Sequence, residues 1–334
     1  MIPLPTWPVL YDFRHFYVAA SCLQRSEDPY GRCFIEGLGA LSPGDGSPPR
    51  FFPLSVYLFY PSAWFPPAIS GVLFVLIMGT ILFHVVRALG HRRDLFSALA
   101  FFPTSKALYF GQISPIFLWV WSFVSAERTS SAARGLALSL GVLKPNLFIP
   151  IALFLTLIDR EPRTLLITFI CGVILQVALC WLVFPGIFDA FVAPEAPWLR
   201  SEFLGQPTVN RFLFPFLGFD VRWAWFMMVS GSVALWAVIR RRRGQHDIPQ
   251  VLAPIACLGA PYLWAHDLLI CLPLWLAVVR GHPSSILRVV SDLGMISATV
   301  VFLYGGFFVE ASAIVIPVLL AYYALAVVPK GRAR

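Results

Sequence analysis

Residues Leu136 to Ile158 read LALSLGVLKPNLFIPIALFLTLI, an apolar run long enough for a bilayer, with Lys144, Pro145 and Asn146 near its middle. A lysine at membrane depth is costly unless it is paired or lines a wet cavity, so an ionisable group inside such a run marks a candidate functional position. A second reading stands beside that one. Pro145 breaks the run into two shorter helices, leaving Lys144 on a turn near the surface with its ammonium reaching toward water. Both readings build the chain from apolar helices.

Composition extends that conclusion to the whole sequence. Of 334 residues, 58% are hydrophobic and 13% charged, and the mean hydropathy is +0.77. A soluble domain of this length has too little interior to hide such an apolar excess. The expected fold class is therefore all-α, a polytopic integral membrane protein. The net charge of +8 does not point to nucleic acid. Its basic residues fall mostly in short clusters between apolar runs, where they act as topology signals. The six cysteines include no CxxC pair, so neither a zinc site nor a redox motif is indicated. Cys22 and Cys33 share one segment and are placed to pair if it faces an oxidising space.

Residues 1–67 contain no spanning run and no signal peptide, and are instead aromatic, proline-rich and polar. The first credible span runs from about Ala68 to Leu89 and ends at Arg87, His91, Arg92 and Arg93. Further basic clusters follow at Arg128 and Arg134, Arg160 and Arg163, Arg240 to Arg243, Arg280 and Arg288, and Lys330 to Arg334. If each marks the cytoplasm, the tips between them fall outside: 110–115, 144–146, the large loop 185–222, 264–267 and 304–310. About eleven helical segments result. They are arranged as a first loop 1–67, a bundle 68–329 and a cytoplasmic basic tail 330–334. The same parity puts 1–67 outside. That placement calls for an additional N-terminal helix or for translocation of the first loop by the span that follows it.

Ionisable and amide groups gather on this outer face. Asp12, Arg14, His15, Asp28 and Tyr30 lie in the first loop, Gln112 in FGQISP, Lys144 in LKPN, Arg211 in the large loop, and His266 with Asp267 in LWAHDLL. A carboxylate such as Asp12 or Asp28 suits a general base acting on an acceptor hydroxyl. Lys144, Arg14 or Arg211 suits a phosphate and can stabilise it as it leaves, while His266 can hydrogen-bond phosphate or sugar. No DxD motif or carboxylate cluster of the kind that holds a divalent ion stands on the cytoplasmic face, so the reading calls for no metal and no other cofactor.

Five segments in order carry a resemblance to a known family: YDFRHFYVAASCLQRSEDPYG, FFPLSVYLFYP, FGQISPIF, GVLKPNLFIP and GAPYLWAHDLLICLP. From Tyr11 to about Val279 the chain resembles glycosyltransferase family 87, C-type membrane enzymes whose donors are polyprenyl-phosphate-linked sugars, commonly mannose. The resemblance implies a C-type helical bundle in the inner membrane with its active face extracytoplasmic, and inverting, metal-independent transfer to a glycolipid or polysaccharide. It implies Asp12 as the base, ahead of Asp28. Gln112 and Lys144 match the family's donor-side motifs, and His266 a late polar position at its active site. The chain departs from the family pattern in its missing first helix, in Asn146 where glutamine is commoner, and in the single proline of FFPLSVYLFYP. Two other classes fit the same residues: a carrier or flippase binding an anionic or lipid-linked substrate through Lys144 and His266, and a non-catalytic subunit of a glycan-assembly complex.

Overall fold

A computed structural model describes residues 10–42, 51–89, 94–126, 128–192, 222–244, 252–260 and 265–281. Among these residues the structure is helical throughout, with no strand. The α-helices are α1 (Tyr11–Gln24), α2 (Arg32–Leu41), α3 (Pro53–Phe59), α4 (Pro67–Leu89), α5 (Asp94–Ala100), α6 (Phe102–Phe110) and α7 (Ser114–Ser125). They continue with α8 (Ser131–Leu140), α9 (Pro145–Ile158), α10 (Pro162–Val183), α11 (Ile187–Val192), α12 (Arg222–Arg242), α13 (Leu252–Gly259) and α14 (Leu272–Gly281). Short 3-10 turns occupy Tyr60–Trp64, Gly141–Leu143 and Ala265–Cys271.

Among the described residues three helices, α4, α10 and α12, are long and apolar enough to cross a membrane. On α4 and α10 the outward positions are large and apolar, including Val72, Leu76, Ile174 and Leu182. Such faces suit lipid, where water would penalise them. The chain is thus a helical membrane protein, as its composition requires. The remaining described helices are shorter, as expected for several of the segments, because Pro53, Pro145 and Pro162 open new helices within or beside apolar sequence. Proline suits the first helical turn, where its missing N–H has no intrahelical partner to lose.

The described residues divide into two compact units. The first comprises Met1–Thr80, Leu108–Ile113 and Cys171–Phe203. Its centre is α1, which lies within the segment 1–67 read from the sequence as a first loop. Phe13, Val18, Ala19, Ala20 and Cys22 of this helix are buried. Phe16 stacks on Phe59 of α3 with ring centroids 4.4 Å apart, and Phe13 meets Phe74 of α4 at 5.0 Å. This aromatic packing kept the helix from reading as a span, because α1 is held by ring contacts and is only 14 residues long. A disulfide joins Cys22 to Cys33, tying the end of α1 to the start of α2.

The second unit comprises Ile81–Ala107, Ser114–Ile170 and Leu204–Arg334. Within it the Leu136–Ile158 run folds back on itself. Arg134 of α8 pairs with Asp159, just past α9, at 2.9 Å, and Ser131 also donates to Asp159. Since α8 begins beside the end of α9, the chain reverses between Gly141 and Lys144. Gly141 permits the reversal, for a Cβ there would lie 2.4 Å from the Phe148 ring. Helix α12 packs along α9 through Trp236 and Phe154, 5.3 Å between centroids. Trp225 of α12 donates to the Leu258 carbonyl of α13 at 2.7 Å.

Candidate functional site

Lys144 sits where the run breaks. The residue before a proline is driven from the α region, and Lys144 has φ −133° and ψ 72° at the N-terminal boundary of α9. Its backbone still serves the helix, for its carbonyl accepts from Leu147 N–H at 3.1 Å and Phe148 N–H at 3.2 Å. Fourteen residues of α9 place Lys144 about 21 Å along the helix from Asp159. That is short of the roughly 30 Å hydrocarbon thickness.

The expectation of two shorter helices is therefore realised, but Lys144 does not snorkel. Its ammonium contacts Asp267, and the two side chains are 15% and 0% exposed. His266 Nε2 lies 3.4 Å from the same carboxylate oxygen and is buried as well. Both residues belong to the 3-10 turn Ala265–Cys271, which packs against α7 and α13 and whose described residues are buried. The sequence placed 264–267 at a tip on the outer face. The apolar faces of Leu268, Leu269 and Ile270, all at 0% exposure, draw this turn inward and carry His266 and Asp267 with it. An ammonium bears three N–H donors, so a lysine positioned by one carboxylate retains the geometry to grip an incoming oxyanion.

The first unit holds a second set of groups. Asp12 lies in the first turn of α1, where the helix dipole accommodates its negative charge. Gly111 has φ +71°, and a Cβ on it would meet Phe13 Cβ at 2.6 Å. A glycine is needed there, and its close approach sets Gln112, itself buried, beside the turn that carries Asp12. His15, one turn further on, stacks near Tyr11 at 4.7 Å and Phe34 at 5.6 Å. Arg14 is 1% exposed and donates to Ser42 Oγ at 2.9 Å, fastening α1 to the end of α2.

Asp28 and Tyr30 shape the turn between α1 and α2. The exposed Asp28 carboxylate accepts from Tyr30 N–H at 2.8 Å, a local Asx turn. The Tyr30 hydroxyl donates to the Phe51 carbonyl at 3.1 Å. Burial, with the charges of Cys180 and Asp28 adding to it, pushes the Tyr30 phenol well above its ordinary value, so it remains a neutral donor. Arg211 lies outside the described residues, as do most of the large loop and the basic tail. Sequence reasoning passed over Lys106 of α6, which is 6% exposed and acts electrostatically on His266 together with Lys144. The signal was present, since Lys106 interrupts the apolar segment FFPTSKALYF much as Lys144 interrupts its own run.

Apolar helices long enough to cross a membrane, with a lysine, a carboxylate and an imidazole buried together in the second unit, define an integral membrane protein. Residues 52–261 match the sequence model of glycosyltransferase family 87, and the chain belongs to that family. It is accordingly a glycosyltransferase, with a sugar donor and an acceptor. The matched stretch contains Gln112, Lys144 and Arg211, while Asp12, Arg14, His15, Asp28, Tyr30, His266 and Asp267 flank it. No curated protein and no solved structure matches the chain.

Proposed function

We propose that this glycosyltransferase moves a hexose, mannose in the first instance, from a polyprenyl-phosphate donor to a hydroxyl of a glycolipid or polysaccharide acceptor. The reaction is placed on the extracytoplasmic face of the inner membrane. The observation that carries the reading is the buried Lys144, Asp267 and His266 cluster at the break of an apolar run in a family 87 chain. A donor whose phosphate is fixed to a membrane-embedded chain presents its anion beside such apolar helices. The Cys22–Cys33 disulfide supports an outward placement for the first unit, because disulfides persist in oxidising compartments.

In this reading Asp12 removes the proton from the acceptor hydroxyl as its oxygen attacks the anomeric carbon. The bond from that carbon to the phosphate oxygen breaks, the configuration inverts, and polyprenyl phosphate leaves with the electron pair. Lys144, held in place by Asp267, and His266 receive the charge on the departing phosphate. Gln112 and His15 hydrogen-bond the sugar beside Asp12, and Arg211 contacts donor phosphate or acceptor. Arg14, Asp28 and Tyr30 shape the surrounding fold.

Membranes containing the chain are to be given polyprenyl-phosphate-mannose labelled in the sugar, alongside glucosyl and galactosyl counterparts. Transfer from one of these donors to endogenous lipid or polysaccharide is the expected result. Folded, inserted protein that transfers from none of them would overturn the reading.

A further inference from the structure

We infer that the exposed arginines gathered where the spans α10 and α12 terminate form a binding site for the phosphate headgroup of an anionic phospholipid. The residues are Arg160, Arg163, Arg241, Arg242 and Arg243. The inference goes beyond the proposed function and does not depend on it, since the reaction scheme above uses none of these residues. From the sequence the two clusters serve only as topology signals; the fold brings them together.

Direct contacts within the second unit hold the arginine-bearing ends in place. Arg241, in the last turn of α12, donates to the Leu157 carbonyl in the last turn of α9 at 3.2 Å, where helical carbonyls have no intrahelical partner. Asp159 follows α9 and accepts from the Glu161 N–H at 2.9 Å, a tight Asx turn after which α10 begins at Pro162. Arg160 lies inside this turn and Arg163 in the first turn of α10. Helix α8 closes the group, for Arg134 pairs with Asp159 at 2.9 Å and a Cβ on Gly135 would strike the Leu165 carbonyl of α10. The ends of α9 and α12 and the start of α10 therefore meet at one end of the unit.

Charge at that end is one-sided. The Asp159 carboxylate is buried and already engaged by Ser131, Arg134 and the Glu161 N–H. That leaves the exposed Glu161 among the exposed guanidinium groups. Like charges gathered in one place repel one another, and an anion set among them relieves that cost. Guanidinium groups fork onto phosphate oxygens through parallel N–H donors. The neighbouring apolar surface decides which phosphate. Leu166, Ile167 and Ile170 of α10 and Leu235 and Ile239 of α12 are each at least 40% exposed, and they stand next to the arginines on helices long enough to cross a membrane. Acyl chains can lie along these side chains while the headgroup stays at the arginines, an arrangement a soluble phosphate cannot use. Basic clusters at the ends of membrane spans attract anionic lipid by the same physics.

The test uses purified full-length protein in neutral detergent micelles and two acyl-labelled fluorescent probes, anionic phosphatidylglycerol and zwitterionic phosphatidylcholine, with binding read by anisotropy. Wild-type protein is expected to prefer phosphatidylglycerol by about tenfold or more, and the preference should shrink as salt is raised. The double variants Arg160→Gln with Arg163→Gln, and Arg242→Gln with Arg243→Gln, should each weaken phosphatidylglycerol by about 5- to 25-fold, from roughly fivefold per arginine, and leave phosphatidylcholine unchanged. Lysine at the same positions should keep most of the preference. Arg32→Gln, at an exposed arginine of α2 in the first unit, should alter neither probe. Fluorescence-detected size exclusion confirms that each variant is folded. An unchanged preference in both folded double variants, or an equal loss in Arg32→Gln, would overturn the inference. Displacement of the lipid probe by glycerol phosphate at comparable concentration would overturn the lipid assignment in favour of a soluble phosphate.

Discussion

Replacing Asp267 by Asn isolates the interaction on which the second unit's site is built. The carboxylate is fully buried and Lys144 is 15% exposed, so loss of the anion leaves an ammonium with little access to water. Removing one partner of a buried ion pair costs about 3–5 kcal/mol, and the partial exposure of Lys144 favours the lower end. At roughly 2–4 °C per kcal/mol for a chain of this order, Asp267→Asn should lower the unfolding temperature by about 6–12 °C. Lys144→Met, which takes the ammonium from beside the buried carboxylate, should cost a similar amount. The double variant should recover much of the loss, because neither charge remains to be buried alone. Tryptophan fluorescence during heating in detergent micelles reads all four proteins, with several tryptophans distributed along the chain. Losses that simply add in the double variant would refute the reasoning.

Two further outcomes follow from local geometry. Burial pushes the Asp159 carboxyl up, but hydrogen bonds from Ser131, the Glu161 N–H and Arg134, with the Arg134 charge, outweigh that and hold it below its ordinary value. Its stabilising contribution is therefore present above the unfolded value of about 3.9 and lost as pH falls through the lower folded value. Acid unfolding of wild type and Asp159→Asn should converge at low pH, and curves separated equally at every pH would contradict this. Gly111→Ala places a side chain at φ +71° against Phe13 Cβ, at a cost of about 1–2 kcal/mol for the backbone alone. Both stability and sugar transfer should fall, since the same turn sets Gln112 beside α1, and an unchanged unfolding temperature would show that the contact is not needed.

The membrane-helical class was legible because hydropathy is a sum over the whole chain and survives errors at single positions. Lys144 was legible for the opposite reason: one charge in an apolar run stands out alone. Its partner was visible only as a residue type. Nothing local to LKPN announces Asp267, 123 positions away, and the HD pair in LWAHDLL reads equally well as a polar tip. Burial of that turn depends on Leu268 to Ile270 finding packing partners in α7 and α13, a tertiary fact. Helix α1 was missed because its stability comes from stacked rings with α3 and α4, and an aromatic pattern among prolines has no helical period long enough to register. Lys106 escaped because its segment lacks the Lys-Pro signature, although the physical argument applied to Lys144 applies to it equally.

The central claim is that Asp12 is the base in transfer of a sugar from a lipid-linked phosphate donor. The most direct measurement compares wild type with Asp12→Asn in two assays on the same nanodisc preparation: turnover of labelled polyprenyl-phosphate-mannose, and equilibrium binding of that donor. Loss of a general base typically costs 10²- to 10⁴-fold, roughly. The account predicts a turnover loss of that order with donor affinity essentially unchanged. Asp12→Asn protein that turns over at the wild-type rate, or that fails only because it no longer binds donor, would contradict it.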